Sequence, residues 1–179
     1  MSKKRKIDYI IEQSDDERLI FRFYPKQSTC HSFGDEPPKN WSNVCKVYYS
    51  YAIIKQWKFD PNDQWESVVL FRESCDECSV IYDVGFRCKL ISDGRETYTR
   101  TYNNESYTFD LLDNEIQPSG MGTCWNIKKH KHSNDLFKIE MFDWHNTGFR
   151  FWLNRKQLKE FGEYLEECCE YMLAHGDPI

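Results

Sequence analysis

The last quarter of the chain, from Leu136 to Pro178, constrains the fold most. The run LFKIEMFDW (136–144) sets Phe137, Ile139 and Met141 on one side of an extended backbone. FRFWL (149–153) sets Phe149, Phe151 and Leu153 on one side and Arg150 and Trp152 on the other. Alternation with a period of two marks a half-buried strand. HNTG (145–148) joins the runs as a turn, with Gly148 free to take a positive φ. The spacing predicts a hairpin and then a helix. Asn154 stands at the N-cap and Gln157 three residues on, which is capping-box spacing, while Leu153 and Leu158 occupy the two positions of a hydrophobic staple. Leu158, Phe161, Leu165, Cys168 and Met172 recur at helical steps, and Glu160, Glu163, Glu166, Glu167 and Glu170 lie mainly off that stripe. Gly176 and Pro178 end the helix. A narrow stripe implies one face on the sheet and the other in solvent.

Composition points the same way. The chain holds two alanines, Ala52 and Ala174, against 6 Trp, 11 Tyr and 12 Phe. Bulky rings suit a pleated surface better than a helical bundle. In the middle, Gly85–Ser92 (GFRCKLIS) and Arg95–Tyr102 (RETYTRTY) flank Asp93-Gly94, a strong hairpin signal. Asn103-Asn104 turns the chain again into Glu105–Leu111. Two-residue turns would put Arg87, Lys89, Tyr98, Arg100, Tyr102, Tyr107 and Phe109 on one face. Phe86, Cys88, Leu90, Thr97, Thr99, Ser106 and Thr108 would take the other. Ile7–Ile11, Leu19–Tyr24 and Trp65–Phe71 read as strands, and Pro25–Cys45 as a long loop. Val47–Phe59 is aromatic and β-branched, which favours strand, although Val44, Val47, Tyr51 and Ile54 also fit a helical period. The expected architecture is α+β: one antiparallel β-meander sheet with one amphipathic C-terminal helix packed on it. The expected organisation is a single domain over 1–179, with a basic tail at 1–6 and a place for a sub-layer boundary in the loop 113–122.

The 179 residues carry 24 Lys and Arg against 29 Asp and Glu, a net charge of −5. Lys3, Lys4, Arg5 and Lys6 are clustered, leaving 20 basic residues against 29 acidic ones elsewhere, a balance of −9. An acidic body is a poor general partner for phosphate backbones, and a frayed, solvated terminus accounts for the cluster. No apolar run is long enough to span a membrane and no signal-peptide core follows the first residues, so the expectation is a cytoplasmic protein with no membrane partner. Thiols stay reduced there, so the eight cysteines imply buried fillers rather than disulfides.

Candidate chemistry is sparse. Cys75 and Cys78 (CDEC) have metal-ligand spacing, and a small structural zinc site is one alternative. It needs two more soft ligands, from Cys30-His31 or from His130 and His132, and neither pair gives a recognised spacing. Two loop cysteines and no cofactor are the plainer expectation. No GxSxG, P-loop, glycine-rich dinucleotide turn or HExxH occurs, so no catalytic residues are assigned and the chain is not expected to be an enzyme. A nucleic-acid-binding face is the other alternative, built on Arg87, Lys89, Tyr98, Arg100, Tyr102 and Tyr107, because bases stack on rings while Arg and Lys meet phosphates. Lys128, Lys129, His130, Lys131 and His132 form a second basic patch, expected to be a solvated turn at a strand end.

The leading reading is a non-enzymatic protein-binding inhibitor. Aromatic residues are the usual anchors of interfaces. An acidic surface complements a basic groove and steers association with it. A small, acidic chain rich in cysteine and aromatics, ending FRFWLNRKQLKEFGEYLEECCEYMLAHGDPI, resembles the accessory proteins of phages and mobile elements, among them the anti-CRISPR proteins. The resemblance implies a partner that handles nucleic acid, such as a CRISPR–Cas effector nuclease of a bacterial host. It implies no fold and no site residues.

Overall fold

The computed structural model describes residues 8–25, 49–75, 78–112, 116, 124–143 and 147–175. The basic tail at 1–6, Cys30, His31, nearly all of the 113–122 loop and the terminal Gly176 and Pro178 lie outside them. Among the described residues the fold is α+β, with antiparallel sheets and two helices. Strands β1 (Asp8–Gln13), β2 (Glu17–Pro25), β3 (Tyr49–Trp57) and β4 (Glu66–Cys75) form a four-stranded sheet in sequence order. Helix α1 (Cys78–Ser92) follows. Strands β5 (Thr97–Tyr102) and β6 (Glu105–Asp110) pair only with each other, β7 (Cys124–Lys129), β8 (Phe137–Phe142) and β9 (Gly148–Leu153) form a third sheet, and helix α2 (Arg155–His175) ends the described chain. The α+β class and the C-terminal helix packed on antiparallel sheets are as expected, while among the described residues the sheet is divided into three and a second helix, α1, is present. Within the 47–59 segment, Tyr49–Trp57 is strand, and 47 and 48 lie outside the described residues.

One core joins the layers. Phe21, Phe23, Tyr51, Ile53 and Phe71 supply the inner face of the first sheet, and Trp125, Ile127, Phe137, Ile139, Met141, Phe151 and Leu153 that of the third. Phe161 on α2 sits edge-on to Phe21 and to Phe151, at centroid distances of 5.4 and 5.7 Å. Edge contacts of this kind add to the burial of the rings themselves. The α2 start follows its sequence signals. The Asn154 amide donates to Gln157 Oε1 at 3.0 Å and the Gln157 amide donates to Asn154 Oδ1 at 2.9 Å, a reciprocal cap. Leu153 and Leu158 are both fully buried.

Helix α1 corrects the expected Gly85–Ser92 strand. Phe86, Cys88 and Leu90 alternate over a short window, but Ile81, Val84, Cys88 and Ile91 recur at helical steps over a longer one, and all four are buried. Asp93-Gly94 is not a hairpin turn. The Arg95 amide donates to the Leu90 carbonyl at 3.1 Å and the Gly94 amide to the Ile91 carbonyl at 2.9 Å, with Gly94 at φ +88°. That is a Schellman cap, which needs the same left-handed glycine as a tight hairpin.

The two helices meet at Gly85 and Gly162. A Cβ on Gly162 would stand 2.7 Å from the Gly85 carbonyl oxygen, and one on Gly85 would stand 3.0 Å from that of Gly162. Helix α2 therefore buries a second flank, including Gly162 and Cys169, against α1 as well as its stripe on the sheets. Only the side carrying Lys156, Lys159, Glu160, Glu163 and Glu170 is fully exposed among the described side chains.

Candidate interaction surface

The β5–β6 pair stands apart from the core. Its ladder runs in full register from Thr97↔Asp110 to Tyr102↔Glu105. Asn103 and Asn104 close it with φ values of 50° and 64°, the left-handed pair that matches the twist of a two-residue hairpin. Every residue of the two strands is exposed except Tyr98, which is half-buried. The base is held in several places. The Leu111 amide donates to the Glu96 carbonyl at 2.8 Å, and Leu111 and Leu112 are buried. Tyr98 stacks edge-on with Phe86 of α1 at 5.2 Å, and Lys129 Nζ meets Glu96 Oε1 at 2.9 Å. Nothing comparable among the described residues touches the far end.

The two faces of this ribbon differ. One carries Thr97, Thr99, Thr101, Ser106, Thr108 and Asp110, with hydroxyl contacts between Thr99 and Thr108 at 3.1 Å and between Thr101 and Ser106 at 3.3 Å. The other carries Tyr98, Arg100, Tyr102, Glu105, Tyr107 and Phe109. Tyr102 is 66% exposed, and Tyr107 and Phe109 are 46% exposed each. Tyr107 Oη donates to Glu105 Oε2 at 2.6 Å, and that bond raises the phenol pKa above its ordinary value.

Arg87 and Lys89 are not on this face. Both sit on α1, where a helix, not a strand, sets their direction. Arg87 Nε pairs with Asp83 Oδ2 at 3.0 Å, one helical turn away, and its Nη1 reaches the Asp110 carbonyl at 3.4 Å. Lys89 Nζ pairs with Glu166 Oε2 of α2 at 2.6 Å, which raises its pKa. The expected aromatic and basic cluster therefore keeps Tyr98, Arg100, Tyr102 and Tyr107 together but loses two of its three cations. With Arg100 beside Glu105, the ribbon face is aromatic and close to neutral.

Cys75 closes β4 and Cys78 opens α1. Their side chains, and the intervening Asp76-Glu77, lie outside what is described. Among the described residues, no three His, Cys, Asp or Glu side chains converge as metal ligands. Cys88 is fully buried, and desolvation pushes its thiol far above the usual range, which makes it no nucleophile. No described helix is long and apolar enough to cross a membrane.

Edge strand β4 exposes a second apolar segment, Val68, Val69 and Leu70, at 44%, 52% and 46%. Its ladder to β3 slips between Ile53 and Ile54, so Leu70 is the extra residue of a bulge. A bulge at an edge twists the free hydrogen-bonding groups away from regular pairing. This strand is a poorer platform than the ribbon for a further strand.

No protein-family model, curated protein or solved structure matches the chain.

Proposed function

We propose that the protein is a non-enzymatic binding protein that engages and blocks a partner protein through the aromatic face of the β5–β6 ribbon. One observation carries this reading: Tyr102, Tyr107 and Phe109 are large, exposed and aligned on a ribbon that contributes little to the core. Rings of this kind are the usual centre of a protein interface, offering wide contact area for few rotatable bonds. Leaving them in water has no folding advantage, since the hydrophobic effect favours burying them.

The near-neutral charge of the face suits a protein groove better than a phosphate backbone. The net charge of −5 suits a partner whose surface is basic around that groove. Enzymes that handle nucleic acid have such surfaces, and a CRISPR–Cas effector nuclease is the class this reading assigns. The test is DNA cleavage by a panel of purified RNA-guided nucleases. The protein is expected to slow at least one of them, and the triple variant Tyr102→Ala/Tyr107→Ala/Phe109→Ala is not. If no nuclease is slowed, the assignment of the partner falls. If the triple variant inhibits as well as the parent, the ribbon is not the contact.

A further inference from the structure

The β7–β9 sheet has a core face and a second face of opposite character. On that second face the ladders align Lys128, Lys138 and Trp152 in one row across the three strands, and Asn126, Glu140 and Arg150 in the next. Glu140 is 5% exposed, with Lys138 Nζ at 2.7 Å and Lys128 Nζ at 3.8 Å from the same carboxylate oxygen. One carboxylate thus serves two lysines. Arg150 is exposed on β9 and Lys131 is exposed in the turn after β7, and neither has an ion-pair partner among the described residues. Two lysines on one buried carboxylate, with Arg150 beside it in the ladder and Lys131 in the adjoining turn, make a positive island on a chain of net charge −5.

An aromatic platform sits at the edge of this island. Trp152 is 39% exposed. Lys138 Nζ lies 5.7 Å from its ring centroid, and the His130 ring meets it at 5.3 Å. His130 is itself fixed in the turn: its Nδ1 accepts the His132 amide at 3.1 Å, and its own amide donates to the Leu136 carbonyl at 2.8 Å. The basic patch at 128–132, which reads from sequence as a solvated turn, is therefore continuous with Lys138, Arg150 and an exposed indole.

We propose that this face binds single-stranded nucleic acid, with a base stacked on Trp152 and phosphates on Lys128, Lys131 and Arg150. A ring beside clustered cations is the pairing that single strands use, because every base has a π-face and every nucleotide a phosphate. An acidic peptide would satisfy the cations and leave the indole without a stacking partner. The proposal is separate from the ribbon and does not depend on it.

The test is fluorescence anisotropy of a labelled oligothymidylate of about 15 nucleotides, a length that spans one such site, titrated with the full chain over a range of salt. Binding is expected to weaken linearly with the logarithm of salt concentration. Reversing two exposed charges, in Lys131→Glu/Arg150→Glu, is expected to lower affinity at least about tenfold and to flatten the salt slope by about 1.4, the single-strand value for two lost phosphate contacts. Trp152→Ala is expected to cost about tenfold and to lose the quenching of protein fluorescence by the oligonucleotide, with Trp152→Phe recovering part of the affinity. Melting curves accompany each variant, and the charge reversals keep the test decisive if Trp152→Ala does not fold. The proposal is overturned if the parent protein does not bind at low salt, or if oligoglutamate of the same length competes equally. It is also overturned if folded face variants bind like the parent, or if binding is lost only in Tyr107→Ala/Phe109→Ala on the ribbon.

Discussion

The β8–β9 hairpin and the β5–β6 hairpin are built alike and used differently. Each pairs two six-residue strands in unbroken antiparallel register. The first buries Phe137, Ile139, Met141, Phe151 and Leu153, whereas the second buries none of its twelve residues fully. The difference lies in the side chains of the would-be inner face. Aliphatic and phenyl groups leave water at a gain of about 1.5–3 kcal/mol each. Threonines and tyrosines keep hydroxyls that water satisfies, and cross-strand pairs add only about 0.2–1 kcal/mol each. A period of two therefore specifies a strand pair but not its burial. A two-stranded ribbon on its own is marginal, and this one is held by its turn and its anchored base.

The largest effects should fall on the buried side of that contrast. Phe161→Ala removes the ring that Phe21 and Phe151 meet edge-on and should cost about 3–5 kcal/mol, read as a fall in the urea midpoint. Phe109→Ala on the ribbon should shift the same midpoint by no more than about 0.5 kcal/mol. Similar losses for the two variants would erase the distinction between core and ribbon.

Next in size is the helix crossing. Gly162→Ala puts a methyl against the Gly85 carbonyl, which backbone must move to admit, and should cost about 1–3 kcal/mol. A neutral result in thermal melting would mean that α1 is not seated on α2 as described. Asn154→Ala removes one half of the α2 cap and should cost about 1 kcal/mol, whereas Asn154→Asp or Asn154→Ser should retain most of that stability.

A more local effect, comparable in size to loss of the cap, belongs to the ribbon turn. Asn104→Ala places an ordinary side chain at φ 64°, a conformation that costs roughly 1–2 kcal/mol without asparagine's local hydrogen bonding. Amide exchange should quicken from Thr97 to Asp110 and stay unchanged in β8 and β9, because the ribbon opens without the core. The weakest effect is electrostatic. The Lys129 ammonium holds the Glu96 carboxyl below its ordinary pKa of 4.5. A carboxyl depressed in the folded state contributes stability above its unfolded pKa and loses it as pH falls through the folded one. Tethering of the ribbon base should therefore weaken below about pH 4.5 and under high salt, seen as a lower protection factor at Leu111 after the intrinsic pH dependence of exchange is divided out, and Glu96→Gln should remove that change.

Much of the fold was legible because local chemistry agreed with tertiary demand. The Asn154/Gln157 cap, the Leu153/Leu158 staple and the Phe137–Leu153 hairpin all appear where the residues place them. Asn103-Asn104 turns the chain as its amides suggest. Helix α1 was hidden for a physical reason. Val80, Ile81, Val84 and Phe86 are poor helix formers and Gly85 is worse, so only packing against α2 makes the segment helical. Asp93-Gly94 then reads identically as a hairpin turn or as a helix stop. That one substitution of helix for strand carries Arg87 and Lys89 off the aromatic face. Of the β7–β9 surface, the alternation of Arg150 and Trp152 was visible, but their registry with Lys128 and Lys138 comes only from the ladders.

The most direct measurement is hydrogen exchange of the chain alone and in complex with any nuclease that the cleavage panel finds it to slow. Amides from Thr97 to Asp110 should become strongly protected in the complex, while those of β8 and β9, already protected by the core, should barely change. Unchanged exchange across the ribbon, with new protection elsewhere, would contradict a partner held by its exposed rings.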